Sequence, residues 1–135
     1  MFYKTPILVL ASIIATFLIW PDLAVPATVP EIDPDKGLVI FYRPKKFSGG
    51  AIRFNINHAQ GSLGILNSGT MVYRYFEPGP QQFWSQVISQ DAIMIDVKAG
   101  EVYFVKGETK MGALAGRPKF KQVDEVTGRA EVGKL

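Results

Sequence analysis

The sequence predicts an all-β fold: a single antiparallel β-sandwich of about seven to eight strands, preceded by an N-terminal hydrophobic signal helix. Three observations carry this expectation. Aromatic and β-branched residues are plentiful beyond the first residues while leucine is scarce, a bias that suits the pleated, half-buried surface of a strand. Short apolar runs are broken by turn residues about every eight to twelve positions, the spacing of antiparallel strands in a sandwich. The chain has 135 residues, and roughly a hundred remain once the hydrophobic N-terminus is set aside, enough for one core.

The N-terminus reads as a targeting segment. Met1 to Lys4 gives a short region with one positive side chain, and Ile7 to Trp20 is an unbroken apolar or small-residue run. As a helix that run reaches about 21 Å, less than the ~30 Å hydrocarbon core of a bilayer, which fits a signal-peptide core better than a membrane span. Pro21 and Asp22 end it, and Val25-Pro26-Ala27 offers the small residues that a signal peptidase reads. Residues 1–27 are therefore expected to be a cleaved signal peptide, with an uncleaved membrane anchor as the alternative. Residues 28–36, TVPEIDPDK, hold two prolines and four charges without a periodic apolar face, the composition of a linker. The β-domain is expected over 37–135.

Each strand has its own signal. Leu38 to Arg43 is nearly all apolar, as expected of a strand covered on both faces. Ile52, Phe54 and Ile56 alternate with Arg53, Asn55 and Asn57, giving the next strand one wet face. Ser62 to Leu66 follows, and Asn67-Ser68-Gly69 turns the chain into the tyrosine-rich run Thr70 to Phe76. Glu77-Pro78-Gly79-Pro80 breaks it before a strand at Phe83 to Ser89. Ile93 to Val97 and Val102 to Lys106 are joined by Lys98-Ala99-Gly100-Glu101, which predicts a hairpin. Gly107, Gly112 and Gly116 loosen the following stretch before Arg117 to Val123 alternates again. Asp124-Glu125-Val126-Thr127 can open a helical turn that Gly128 and Gly133 would keep short.

Composition excludes several chemistries. Without cysteine there are no disulfides, no thiolate metal sites, no cysteine nucleophile and no lipid-accepting residue after the hydrophobic segment. The formal charge of +3 is spread among interspersed acids and bases, which argues against a nucleic-acid partner. His58 is the one candidate base for triad chemistry; it reads as a loop histidine, since no nucleophile-elbow motif accompanies it. Glu77, Asp91, Asp96 and Glu101 are candidates for a carboxylate pair, yet Glu77 and Glu101 flank turns, Asp91 reads as a turn residue and Asp96 lies on a polar strand face. Gly107 to Gly112 has half of a phosphate-loop spacing but lacks the Gly-Lys-Ser/Thr that completes one. Neither a metal nor another cofactor is expected. Strand alternation places Arg117, Lys119 and Lys121 on one face, with Lys106 and Lys110 near them: a basic stripe suited to anionic lipid, acidic glycan or an acidic protein patch. Lysines on a strand face are also an ordinary solubilising device.

Beyond these residue-level signals, the stretches GLVIFYRP, LNSGT, EPG, VKAGEVYFVKG and above all MGALAGRPKFKQVDEVTGRAE resemble an uncharacterised bacterial family of exported domains, many on lipoproteins, known only as a domain of unknown function. The resemblance implies a sandwich and an exported location, and no activity. The expected function is that of a non-catalytic envelope protein, an adaptor or accessory subunit in the periplasm or anchored to the inner membrane, whose partner is an envelope protein or an anionic membrane or glycan surface. The alternative is a glycan- or lipid-binding module that combines the basic strand face with the aromatics Tyr73, Tyr75, Phe83 and Trp84. A carboxylate hydrolase ranks last.

Overall fold

The apolar run Gly37–Arg43 forms β1, and all seven of its residues are buried, as a strand with no polar face requires. The computed structural model describes residues 28–45, 53–85, 91–111 and 116–135, so the expected signal segment 1–27 lies outside the described residues. After β1 come β2 (Phe54–His58), β3 (Gly61–Leu66), β4 (Thr70–Phe76), β5 (Gly79–Ser85), β6 (Asp91–Val97), β7 (Val102–Met111), β8 (Gly116–Val123) and one helix, α1 (Glu125–Val132). They form two four-stranded sheets: sheet A in the order β4-β1-β7-β8 and sheet B in the order β3-β2-β5-β6.

The inner faces of the two sheets make the main core. Val39, Phe41 and Val105 from sheet A meet Phe54, Ile56, Leu66, Phe83, Ile95 and Val97 from sheet B. Phe41 contacts the rings of Phe83 at 5.0 Å and Phe120 at 5.8 Å, both edge to face, the preferred geometry for aromatic pairs. Arg43 closes one end of this core with its guanidinium 4.5 Å from the centre of the Phe54 ring, and burial lowers its pKa.

A second core lies on the opposite face of sheet A. Leu38, Ile40 and Tyr42 of β1 and Phe104 of β7 pack there against Val132 of α1, with Val29, Val123 and Leu135 at the margin. Helix α1 begins at Asp124, whose carboxylate accepts the Thr127 N–H at 3.0 Å and the Thr127 hydroxyl at 2.7 Å, and these bonds lower its pKa. Gly128 sits inside the helix because a Cβ there would overlap the Phe104 ring. Residues 28–36 lie against the same side: Val29 joins the second core, and the Tyr75 hydroxyl donates to the Glu31 carbonyl at 2.6 Å.

The sandwich departs from the sequence expectation in its connections. One pair is parallel, β1 with β7, in the register Leu38↔Val102 to Tyr42↔Lys106; the remaining pairs are antiparallel. The turn at Lys98-Ala99-Gly100-Glu101 exists, with Gly100 at φ +76°, but it does not make a hairpin: β6 belongs to sheet B and β7 to sheet A. The turn is held by Gly100 N–H on the Lys36 carbonyl and by Leu38 N–H on the Glu101 carbonyl, which deliver β7 to β1 rather than to β6. Strand β7 continues through Gly107, where the Phe54 and Leu66 side chains leave no room for a Cβ. Strand β5 runs from Gly79, earlier than its sequence signal suggests, and Asp91 opens β6 instead of occupying a turn.

Candidate functional site

The outer face of sheet A carries the basic residues. Cross-strand register sets Lys106 opposite Lys121, Glu108 opposite Lys119, and Lys110 opposite Arg117. The side chains of Lys110 and Arg117 lie outside the described residues, so the stripe can be followed only through Lys106, Lys119 and Lys121. Lys119 and Lys121 are exposed, whereas Lys106 is engaged: its Nζ lies 3.0 Å from Glu131 and 3.5 Å from Glu108. The bond to Glu131 raises the Lys106 pKa, outweighing the lowering effect of burial. A shallow recess of about 340 Å³ beside α1 is lined by Lys106, Lys121, Glu108, Asp124, Thr127 and Glu131, among other residues. Two cations and three carboxylates face it, so this part of the surface is of mixed sign. Among the described residues the buried Tyr42 hydroxyl makes no well-aligned hydrogen bond, although the Glu131 carboxylate lies close enough to act on it. Burial first, and the nearby Glu131 carboxylate second, push its pKa well above the usual phenol range.

His58 ends β2 and is a core residue rather than a loop residue. Its ring packs between Phe76 at 4.9 Å and Phe83 at 5.3 Å. Nδ1 accepts the Gln60 N–H at 3.2 Å, which leaves Nε2 carrying the proton and donating to Gln81 Oε1 at 2.6 Å. This arrangement occupies both ring nitrogens structurally. Of the four carboxylate candidates, Glu77 pairs with Lys36 at 3.7 Å, Glu101 accepts from the Tyr103 hydroxyl at 2.9 Å, Asp96 faces outward opposite Pro80 and also acts on the Tyr103 hydroxyl, and the Asp91 side chain lies outside the described residues.

The aromatics divide into three groups. Phe83, expected as a stacking surface, is fully buried in the main core, because alternation in β5 turns it inward and Trp84 outward. Tyr73 and Tyr75 lie side by side on the outer face of β4, their rings 6.4 Å apart and their exposures 40% and 37%. Tyr75 is tied to Glu31, and Arg74 between them donates to the carbonyls of Tyr73 and Leu63. Trp84 stands apart from both groups, on the outer face of sheet B.

That outer face holds a constellation the sequence reading did not assemble. Since Phe54, Ile56, Phe83, Ile93 and Ile95 point into the core, Asn55, Asn57, Gln82, Trp84, Ala92 and Met94 point away from it. Register aligns Ser62, Asn57, Trp84 and Ala92 in one row across all four strands, and sets Gln82 beside Met94 in the neighbouring row. Trp84 is partly buried, between the short side chains of Asn57 and Ala92 in its row. Met94 is 64% exposed. Among the described residues no side-chain hydrogen bond engages Asn55, Asn57 or Gln82, and no element covers this face. The sequence signal was present in the Arg53-Asn55-Asn57 alternation and in Trp84 itself; the register that sets Asn57 beside Trp84 was not.

Among the described residues no helix is long and apolar enough to cross a membrane, and no cluster of three or more acidic or histidine side chains is placed to hold a metal ion. No curated protein and no solved structure matches the chain. A family match covers residues 33–118, from just before β1 to the third residue of β8; most of the stretch GRPKFKQVDEVTGRAE, with α1, follows it. On that match the chain belongs to DUF2846, a family of proteins of unknown function.

Proposed function

We propose that this protein is a non-catalytic binding domain of the bacterial cell envelope, an adaptor or accessory subunit, and that the outer face of sheet B is its contact surface. The observation that supports this reading is the uncovered row through Asn57 and Trp84, with the Asn55 and Gln82 amides and Met94 around it. Solvent-facing aromatic and methionine side chains with few charges are the composition that recognition surfaces favour. The basic stripe supports the reading less well, since Lys106 is bound to two carboxylates and the recess beside it has mixed sign. Export rests on the N-terminal apolar segment, Ile7 to Trp20.

Fractionation of cells that express the full chain tests the proposal. Trp84→Ala with Asn57→Ala should release the protein from the envelope fraction, while Lys119→Gln with Lys121→Gln should leave its distribution unchanged. The reverse pattern would transfer the contact surface to sheet A.

A further inference from the structure

Resting on that binding-face reading, we infer that the outer face of sheet B takes an uncharged polysaccharide chain, laid across the strands along the row Ser62, Asn57, Trp84 and Ala92. The first argument is electrostatic. No ionisable side chain lies in this row; among the described residues Arg53 ahead of β2 and Asp96 on β6 stand at opposite ends, each about 13 Å along its strand, and the Arg74 guanidinium reaches the edge of the row at the Leu63 carbonyl. An anionic lipid or acidic polymer would find counter-charge only at the edge of the row, and a charged ligand laid along it would lose hydration with little compensation.

The second argument is the hydrogen-bonding inventory. Asn55, Asn57 and Gln82 each offer two N–H donors and a carbonyl acceptor, none of them engaged elsewhere in the described chain. Sugar hydroxyls donate and accept at once, so they satisfy an amide in either orientation. An apolar protein surface laid over the same amides would strand them, at about 1–3 kcal/mol for each group left unpaired.

The third argument is shape. The part of the Trp84 indole left open between its short neighbours offers apolar surface to the C–H face of a pyranose ring, and exposed Met94 beside Gln82 extends it with a flexible thioether. Four strands about 4.8 Å apart provide a track of about 14 Å, longer than one sugar ring. A chain of several residues should therefore bind more tightly than a short fragment.

The test exploits the tryptophan content. The protein holds two tryptophans, Trp20 and Trp84, so Trp20→Phe in the full chain leaves Trp84 as the sole indole reporter. In a detergent without a sugar headgroup, fluorescence is titrated with hexamers of N-acetylglucosamine and of glucose, with polygalacturonate, and with phosphatidylglycerol vesicles. One of the neutral hexamers should shift the emission with a midpoint that does not move between low and high salt. Asn57→Ala should weaken that midpoint at least about fivefold, the factor expected from losing one hydrogen bond of roughly 1 kcal/mol, and the matching trimer should bind more weakly than the hexamer. A response to polygalacturonate or to the vesicles alone would overturn the inference. If neither neutral hexamer binds while Trp84→Ala still abolishes envelope association, the polysaccharide inference fails and the contact surface stands as one for protein. If Trp84→Ala leaves envelope association intact, both readings fail.

Discussion

The two outer faces of the sandwich are built on opposite terms. On sheet A, the outward residues of β1 are Leu38, Ile40 and Tyr42, and α1 with the segment around Val29 folds back to cover them. On sheet B, the outward residues of β2 and β5 are Asn55, Asn57, Gln82 and Trp84, and among the described residues nothing covers them. The difference shows how a domain of this size divides its surface. Inward faces of both sheets supply one core, and doubly apolar β1 requires a second, so sheet A gives up its outer face to stability. Sheet B, with clean alternation, keeps its outer face available. Stability should therefore respond to changes on the first face, and association to changes on the second.

The largest effect should come from Ile40→Ala. Its side chain is fully buried between β1 and the elements that cover it, so truncation should cost about 2–5 kcal/mol and lower the melting temperature by at least about 10 °C in a calorimetric scan. A small effect would show that the second core is dispensable and would break the contrast. Next is Gly128→Ala, where the added methyl meets the Phe104 ring; we expect a loss of about 1–3 kcal/mol in urea unfolding, despite the better helix propensity of alanine.

Alkaline pH gives a third, graded effect on the same face. Folded Tyr42 retains its phenolic proton well above pH 10, whereas the unfolded chain releases it near there, so the folded state binds more protons as pH rises. Stability contributed by Tyr42 is complete below pH 10 and then declines by up to about 1.4 kcal/mol per pH unit. Lys106, also raised, adds a loss of the same sign above its usual range. Tyr42→Phe should flatten the decline in melting temperature above pH 10 while changing stability at pH 7 by no more than about 1 kcal/mol, since the hydroxyl it removes makes no well-aligned hydrogen bond among the described residues. The smallest effect belongs to sheet B: Asn55→Ser with Gln82→Ser should stay within about 0.5 kcal/mol of the parent in the same urea experiment. Destabilisation as large as that of Gly128→Ala would mean that this face too is structural.

How much of this was legible in the sequence follows from the range of each signal. The double burial of β1 was readable because an apolar run without alternation has one meaning in a small sandwich, and Asp124 was readable as a cap because its partner Thr127 is three residues away. The hairpin at Lys98 to Glu101 was misread because a turn motif reports only that the chain reverses. It cannot report that β6 already pairs with β5, or that β1 still needs a neighbour on its free edge. His58 was misread for the same reason, since the rings of Phe76 and Phe83 that enclose it lie far along the chain. The outer face of sheet B was half legible: its amides follow from alternation in β2, but the row requires knowing that Asn57 stands beside Trp84, which only the register supplies.

The parallel pairing of β1 with β7 also sets the order in which this chain can fold. Leu38 and Val102 are neighbours across five intervening strands, so the centre of sheet A cannot form until nearly the whole domain is present. Such non-local closure makes folding slow, on the millisecond-to-second scale typical of β-sandwiches. A chain emerging N-terminus first can pair β1 with β4 early, but the other edge of β1 stays open until β7 has emerged. The second core, which needs Phe104 of β7 and Val132 of α1 beside β1, is therefore completed last.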